Sequence, residues 1–372
     1  MKWHIPKRVP GRIVAHDLAE SFATLAAIEA RLGAISHNNT QGTAFRIIGD
    51  WLVREDILWG YLQPISPQNI SGVAPLIPGF PVHGAPKALY YLIFGTRIGA
   101  DISASAVFFR SNIRSFYHQQ QMTLWVARGQ RSPEKLDGAL VARNRFATIS
   151  GFRQPKVLEH DTAARPPYIL EELACGRRFG QRTDWKVLAD KVVPALFRFY
   201  DHGSIRHRRV ADVYNADWIG SEIPGLISEV TWKKKWVPLP RFLKAAEECL
   251  SLRDKTIPLC IGHGDLGKSN FVVSAKGNFT LLDWEASREL PLAEELIKLV
   301  CQHPHLVHCL EPEIRRRTED PIAMPPRRQF LCAALDIIAG MRTGAFRPGR
   351  PRGTKKIKKW LCLASMLIAG PD

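Results

Sequence analysis

The chain has 372 residues, 45% of them hydrophobic, enough to bury a substantial core in two lobes or domains. Its 52 lysines and arginines outnumber 35 aspartates and glutamates, and the net charge of +17 gives a surface that attracts anions. No run approaches the roughly 20 apolar residues of a membrane-spanning helix. The opening M-K-W-H-I-P-K-R-V-P lacks the apolar core of a secretory leader, and seven scattered cysteines read as reduced thiols of a cytoplasmic protein.

Residues 1–15 are basic, with Pro and Gly, and read as a loose arm. Asp17-Leu18-Ala19-Glu20 has the form of a capping box. Leu18, Phe22, Leu25, Ile28 and Leu32 recur at helical spacing, which predicts an amphipathic helix over 17–33 that stops at Gly33. The run from Phe45 to Tyr61 is apolar and fits helix or strand. Prolines 64, 67, 75, 78, 81 and 86 then suit an irregular linker, so 1–86 reads as an N-terminal extension.

Ala88–Gly95, Ser103–Arg110 and Met122–Arg128 are rich in strand-forming residues, and Gly95-Thr96-Arg97-Ile98-Gly99 reads as an ordinary turn between two of them, or as one that lies over phosphates. A helix is predicted over 133–149, with Glu134 and Asp137 near its start. Pro155–Leu158 and Tyr168–Leu173 are again strand-like. From Thr183 to Leu250 the pattern is mostly helical, with Trp185, Leu188, Val192, Leu196 and Phe199 in one stripe that Pro194 kinks or splits. Two basic clusters follow, Arg206-His207-Arg208-Arg209 and Trp232-Lys233-Lys234-Lys235-Trp236. The second reads as a solvated loop with anchoring aromatics, or as a grip for an anionic sugar or lipid surface.

The stretch from Ile257 to Leu290 organises the rest. Three short apolar runs, Ile257–Ile261, Phe271–Val273 and Phe279–Leu282, alternate with polar loops. Lys276-Gly277-Asn278 supplies the turn that makes the last two a hairpin. His263, Asp265, Asn270, Asp283 and Glu285 sit at the strand ends. Phosphoryl transfer needs divalent metal on nucleotide phosphates and a carboxylate to orient the attacking hydroxyl. Asn270 and Asp283 are hard oxygen donors suited to magnesium, and Asp265 is the remaining carboxylate. In the protein-kinase signature an Asn follows the catalytic Asp by five positions, as Asn270 follows Asp265.

His263-Gly264-Asp265-Leu266 with Asn270, then Leu282-Asp283-Trp284-Glu285, resembles the aminoglycoside phosphotransferase and choline kinase family. The resemblance implies an α+β, bilobal protein-kinase-like fold: a β-rich nucleotide lobe over 87–173 and a helical catalytic and acceptor lobe over 174–372. It implies an ATP-dependent kinase in which Asp265 orients the acceptor hydroxyl, His263 braces the loop, and Asn270 and Asp283 hold Mg2+ on ATP. Glu285 positions the loop or a second ion, and Glu294 or Glu295 buttresses the catalytic loop. The family places a lysine on its third strand, paired with an acid on the next helix; Arg128 stands at that place here, and the helix after it carries no acid beyond Asp137. Backbone groups of Glu172 and Leu173 would meet adenine.

The implied acceptor is a small hydroxylated metabolite, sugar-like. The charge favours an anionic one, such as an envelope-glycan precursor, over a cationic antibiotic. Two other readings stay open. One is a kinase-like binding module without turnover, motivated by Arg128 and the missing helix acid. The other is a basic binder of nucleic acid or membrane; no nucleic-acid motif is present, so nucleic acid is disfavoured as a partner.

Past the motif, 291–300 is predicted helical. Cys301, His303, His305, His308 and Cys309 are too crowded for the usual zinc spacing and read as an ordinary loop. Phe330–Met341 reads as a core helix. The tail runs from Arg347 through Lys355-Lys356-Ile357-Lys358-Lys359 into Trp360–Ala369. It reads as a last packed helix, or as a peripheral contact with an anionic membrane face.

Overall fold

Short runs of β-branched and aromatic residues bounded by polar turns shape the first half of the protein; helical stripes shape the second. The computed structural model describes residues 15–32, 43–48, 51–60, 85–94, 96–100, 102–109, 112–127, 133–174, 176–228, 236–274, 276–318, 322–341 and 351–370. In chain order the first elements are α1 (Ala15–Leu32), β1 (Thr43–Ile48), β2 (Trp51–Arg54), α2 (Glu55–Gly60), α3 (Ala85–Phe94), β3 (Thr96–Ala100), β4 (Ala106–Phe109), β5 (Asn112–Tyr117) and β6 (Met122–Ala127). Next come α4 (Pro133–Ser150), β7 (Val157–Asp161), β8 (Tyr168–Glu172) and β9 (Arg177–Arg178). Then α5 (Arg182–Val187) runs through a π-helical turn, Leu188–Val192, into α6 (Val193–His202), followed by β10 (Arg206–Arg209), α7 (Ala216–Ser228), α8 (Leu239–Ser251) and β11 (Thr256–Gly262). The chain continues through β12 (Phe271–Val273), β13 (Phe279–Leu281), β14 (Arg288–Pro291), α9 (Leu292–Gln302), α10 (Val307–Arg316), α11 (Pro326–Gly340) and α12 (Pro351–Ala369).

These elements divide into two compact units, giving an α+β protein with one β-rich and one mainly helical part. The first unit holds Met1–Asn144, Phe152–Phe179 and Ser269–Glu285; the second holds Arg145–Gly151, Gly180–Lys268 and Ala286–Asp372.

In the first unit one antiparallel sheet runs in the order β3-β1-β2-β4-β5-β6-β8-β7. The extension expected over 1–86 therefore contributes β1 and β2 to the same sheet as the strands that follow it. Met122, Leu124 and Val126 face α1, packed with Phe22, Leu25, Ile28, Leu32, Tyr168 and Leu170. Burying each of the four α1 side chains contributes about 1.5–3 kcal/mol at most. A buried acid pins the helix: Glu29 accepts the Tyr117 hydroxyl and the Ser103 amide, each at 2.8 Å. Burial, and then the Glu29 charge, push the Tyr117 phenol well above its ordinary pKa. A second cluster joins Trp51, Val53, Ala106 and Phe116 to Ile57 and Leu58 of α2 and to Ala88 and Leu92 of α3.

Two expectations change here, and one strand is added. Ala88–Phe94, expected as a strand, is the body of α3; a short apolar run has no period that separates strand from buried helix, and Pro86 sits where a helix begins. The expected turn at 96–99 lies inside β3, where Thr43↔Ala100 and Ile47↔Thr96 bound its pairing with β1. Strand β5, unread in the sequence, pairs with both β4 and β6.

In the second unit β10, β11 and β14 form a small antiparallel sheet. The helical stripe from Trp185 to Phe199 splits at the π turn just ahead of Pro194. The basic Arg206–Arg209 cluster is strand β10, its four side chains exposed. Helix α11 is largely buried, and α12 packs with Ile357, Trp360, Leu361, Ala364 and Leu367 inward, the packed-helix reading of the tail. No described helix is long and apolar enough to cross a membrane. Residues 232–235 and 347–350 lie outside the described residues.

Candidate active site

The hairpin expected after the motif's first strand is present. Phe271↔Leu281 and Val273↔Phe279 pair across a turn in which Gly277 has φ +77°, a conformation glycine adopts without a Cβ clash. Strand β12 also pairs with β9. The Leu282 amide donates to the Asn270 carbonyl at 2.8 Å, which brings Asn270 beside the chain that carries Asp283. Asp283 itself has φ +73°. A non-glycine residue in the left-handed region stores strain, which persists where surroundings over-determine the residue.

Asp283 lines a cavity in the first unit, between the β5–β6–β8 face, α4 and residues 282–284. The pleat explains which side chains enter it. Arg114 and Trp125 are direct cross-strand partners, as are Thr123 and Glu171, and these four share the face opposite α1. Arg114 Nη2 lies 2.5 Å from Asp283 Oδ1 and 4.0 Å from Glu285 Oε1. Its guanidinium covers the Trp125 ring, 5.2 Å from the centroid. Burial opposes the Arg114 charge, but Asp283 and Glu285 outweigh it and hold its pKa above the ordinary value. Glu171 makes a close ion pair with Arg143 of α4. Burial pushes the Glu171 carboxyl up, more than Arg143 and Arg114 pull it down.

This ion pair joins a cation of helix α4 to an acid of strand β8. Arg128 lies outside the described residues. Arg114, Arg143 and Glu171 were not singled out in the sequence. The available signal for Arg114 was one charged residue inside an apolar strand, N-I-R-S-F-Y.

At the C-terminal end of β8, the two residues expected to meet adenine have their amides engaged. Glu172 N donates to Lys156 O at 2.9 Å and Leu173 N to Gln121 O at 2.7 Å. The Glu172 carboxylate takes the Lys156 amide and Arg153, which lower its pKa.

The second unit carries His263 and Asp265 in the loop after β11. His263 is buried, and its Nδ1 accepts the Asp265 amide at 3.3 Å, a bracing role. Buried Glu295, on the first turn of α9, accepts the His263 amide at 2.7 Å and the Gly264 amide at 2.8 Å. Tyr200 donates its hydroxyl to the same carboxylate at 3.3 Å. Gly264, at φ +78°, could carry no side chain: a Cβ there would lie 1.9 Å from the Ala286 carbonyl oxygen. Lys298, one turn beyond Glu295, reaches Asp265 Oδ1 at 2.6 Å. The spacing of three between Glu295 and Lys298 puts both on the loop side of α9, a signal the sequence carried unread.

The donor chemistry suits magnesium: Asp283, Asn270 and Glu285 offer hard oxygens from one unit, and left-handed Asp283 is held at a cavity wall. Among the described residues no group of three or more His, Cys, Asp or Glu side chains is gathered as a metal cluster. An amide and water or phosphate oxygens would therefore have to complete the shell.

No family model matches the sequence, and no curated protein matches it. Among solved structures, the chain is similar to a choline/ethanolamine kinase family protein from Mesorhizobium loti, at 14% identity and a TM-score of 0.40 over 69% of this chain and 90% of that one. It is similar to a choline kinase from Streptococcus pneumoniae, at 15% identity and 0.38 over 68% and 89%. An AMP-bound spectinomycin phosphotransferase gives 12% identity and 0.46 over 70% and 91%.

Proposed function

We propose that the protein is an ATP-dependent small-molecule kinase that moves the γ-phosphoryl group to an acceptor hydroxyl. The observation that carries the reading is Asp283, a carboxylate held at φ +73° on the wall of a cavity rich in opposed charges. Such strain is commonest at functional sites. The motif spacing from Asp265 to Asn270 and Asp283 supports it.

Asp265 would orient the hydroxyl and take its proton, with Lys298 holding the carboxylate in place and His263 and Glu295 fixing its loop. Asn270 and Asp283 would hold magnesium. The ion, when bound, neutralises charge on the nucleotide phosphates. With the amides of Glu172 and Leu173 engaged, adenine contacts there would fall to their carbonyls and to neighbouring groups. The net charge of +17 favours an anionic, sugar-like acceptor, an envelope-glycan precursor among them. It also suits a protein of the cytoplasm that visits an anionic membrane face.

The test is ATP consumption with Mg2+ against pools of sugars and phosphosugars, for wild type, Asp265→Ala and Asp283→Ala. Acceptor-dependent turnover that both substitutions abolish supports the reading. Equal background in all three proteins overturns it and favours the binding module.

A further inference from the structure

Arg114 stands on the carboxylates to which a metal ion would have to come. Its guanidinium contacts Asp283 at 2.5 Å and lies 4.0 Å from Glu285, with Trp125 beneath it. A guanidinium and a divalent cation on one carboxylate oxygen repel strongly in a partly buried site. Arg114 cannot simply step aside either. Its side chain is only 24% exposed, and a half-buried cation stripped of its acid is costly. The other acid of the cavity, Glu171, is taken by Arg143. What would release Arg114 is a new anion arriving together with the metal. A phosphate oxygen pair fits the planar fork of a guanidinium well.

We infer that Arg114 couples metal binding to polyphosphate binding. Without a polyphosphate it holds Asp283 against divalent cations; with one, it transfers to phosphate oxygens and opens the carboxylate to the metal. Metal and polyphosphate therefore bind cooperatively, and by linkage each raises the affinity of the other by the same factor. The choice of a nucleotide as the polyphosphate rests on the proposed function. The competition between Arg114 and a metal does not.

The experiment titrates the full chain with Mn2+, read by electron paramagnetic resonance, with and without tripolyphosphate or ATP. In wild type, either polyphosphate is expected to tighten Mn2+ binding by about tenfold, within the usual range of coupling between two ligands. Independent binding of metal and polyphosphate overturns the inference, and that measurement needs no variant. Arg114→Gln is expected to bind Mn2+ alone about tenfold tighter than wild type and to show a smaller enhancement by polyphosphate. Arg114→Lys should retain part of it, and Asp283→Asn should abolish the Mn2+ site in each background. Mn2+ affinity of Arg114→Gln no higher than wild type would sink the coupling role. If tripolyphosphate couples to Mn2+ but no nucleotide does, the coupling stands and the kinase reading falls.

Discussion

Glu295 holds Gly264 by a 2.8 Å hydrogen bond from the glycine amide to Oε2, while its other oxygen takes the amide of His263. One buried carboxylate thus fixes two successive peptide groups just ahead of Asp265. Glu295→Gln keeps the shape but replaces one acceptor oxygen with an amide nitrogen that faces an N–H. The expected loss is about 1–3 kcal/mol, the cost of a buried donor left unpaired. Urea unfolding measures it. Turnover should fall with it, while Mn2+ affinity at Asp283 is retained.

Lys298 offers a contrast. Its pair with Asp265 is exposed by 37% and 51% on the two sides, so Lys298→Met should change stability by no more than about 1 kcal/mol. Its effect should appear in the reaction. A cation 2.6 Å from one carboxylate oxygen fixes the direction in which the other points, so kcat of the variant should fall while stability holds. A kcat equal to that of wild type would remove Lys298 from that role.

The Arg143–Glu171 pair is largely withdrawn from water, its side chains 10% and 17% exposed. Removing one partner strands the other, so Arg143→Leu and Glu171→Leu are each expected to destabilise by about 3–5 kcal/mol. The double substitution should recover most of that loss, because two apolar side chains of similar size leave no orphaned charge. Denaturant unfolding of the four proteins of the cycle provides the check.

Asp336, in α11, gives a pH signature. Burial, with repulsion from Glu294 second, raises its pKa from 3.8 to about 6. The folded protein then holds a proton that the unfolded chain has lost. Stability from this group is greatest below pH 4, declines as pH rises through 6, and is flat above it. Asp336→Asn should erase that slope and stabilise the protein at pH 8 by about 1–3 kcal/mol. Thermal unfolding at pH 5 and pH 8 tests it, and an equal shift at both values would contradict it.

Residues with a strong local rule were readable from the sequence. The stripe Phe22, Leu25, Ile28, Leu32 announces α1, and Gly277 in its turn announces the hairpin. The spacing from Asp265 to Asp283 singled out the candidate carboxylates, and Glu295 was named with Glu294 as a buttress. What stayed hidden depends on pairing across long stretches of chain. Nothing near Arg114 in the sequence says that it will face Asp283, 169 residues later. Register decides that, since a slip of one residue would turn Arg114 toward α1. The run Ala88–Phe94 failed for another reason: its apolar residues satisfy both periods, and packing on Ile57 and Leu58 settles the matter.

The joining of β1, β2 and β3 to the sheet has a consequence for how the protein can be cut. Strand β4 is paired on one side only by β2. Trimming the chain back to Ala106 would bare its row of amides and carbonyls, an open selvedge along which other chains could stitch themselves. It would also strip the apolar cover from Leu124 and Val126. A shortened protein is thus expected to cling to its own kind and precipitate, whatever chemistry its remaining carboxylates could still perform.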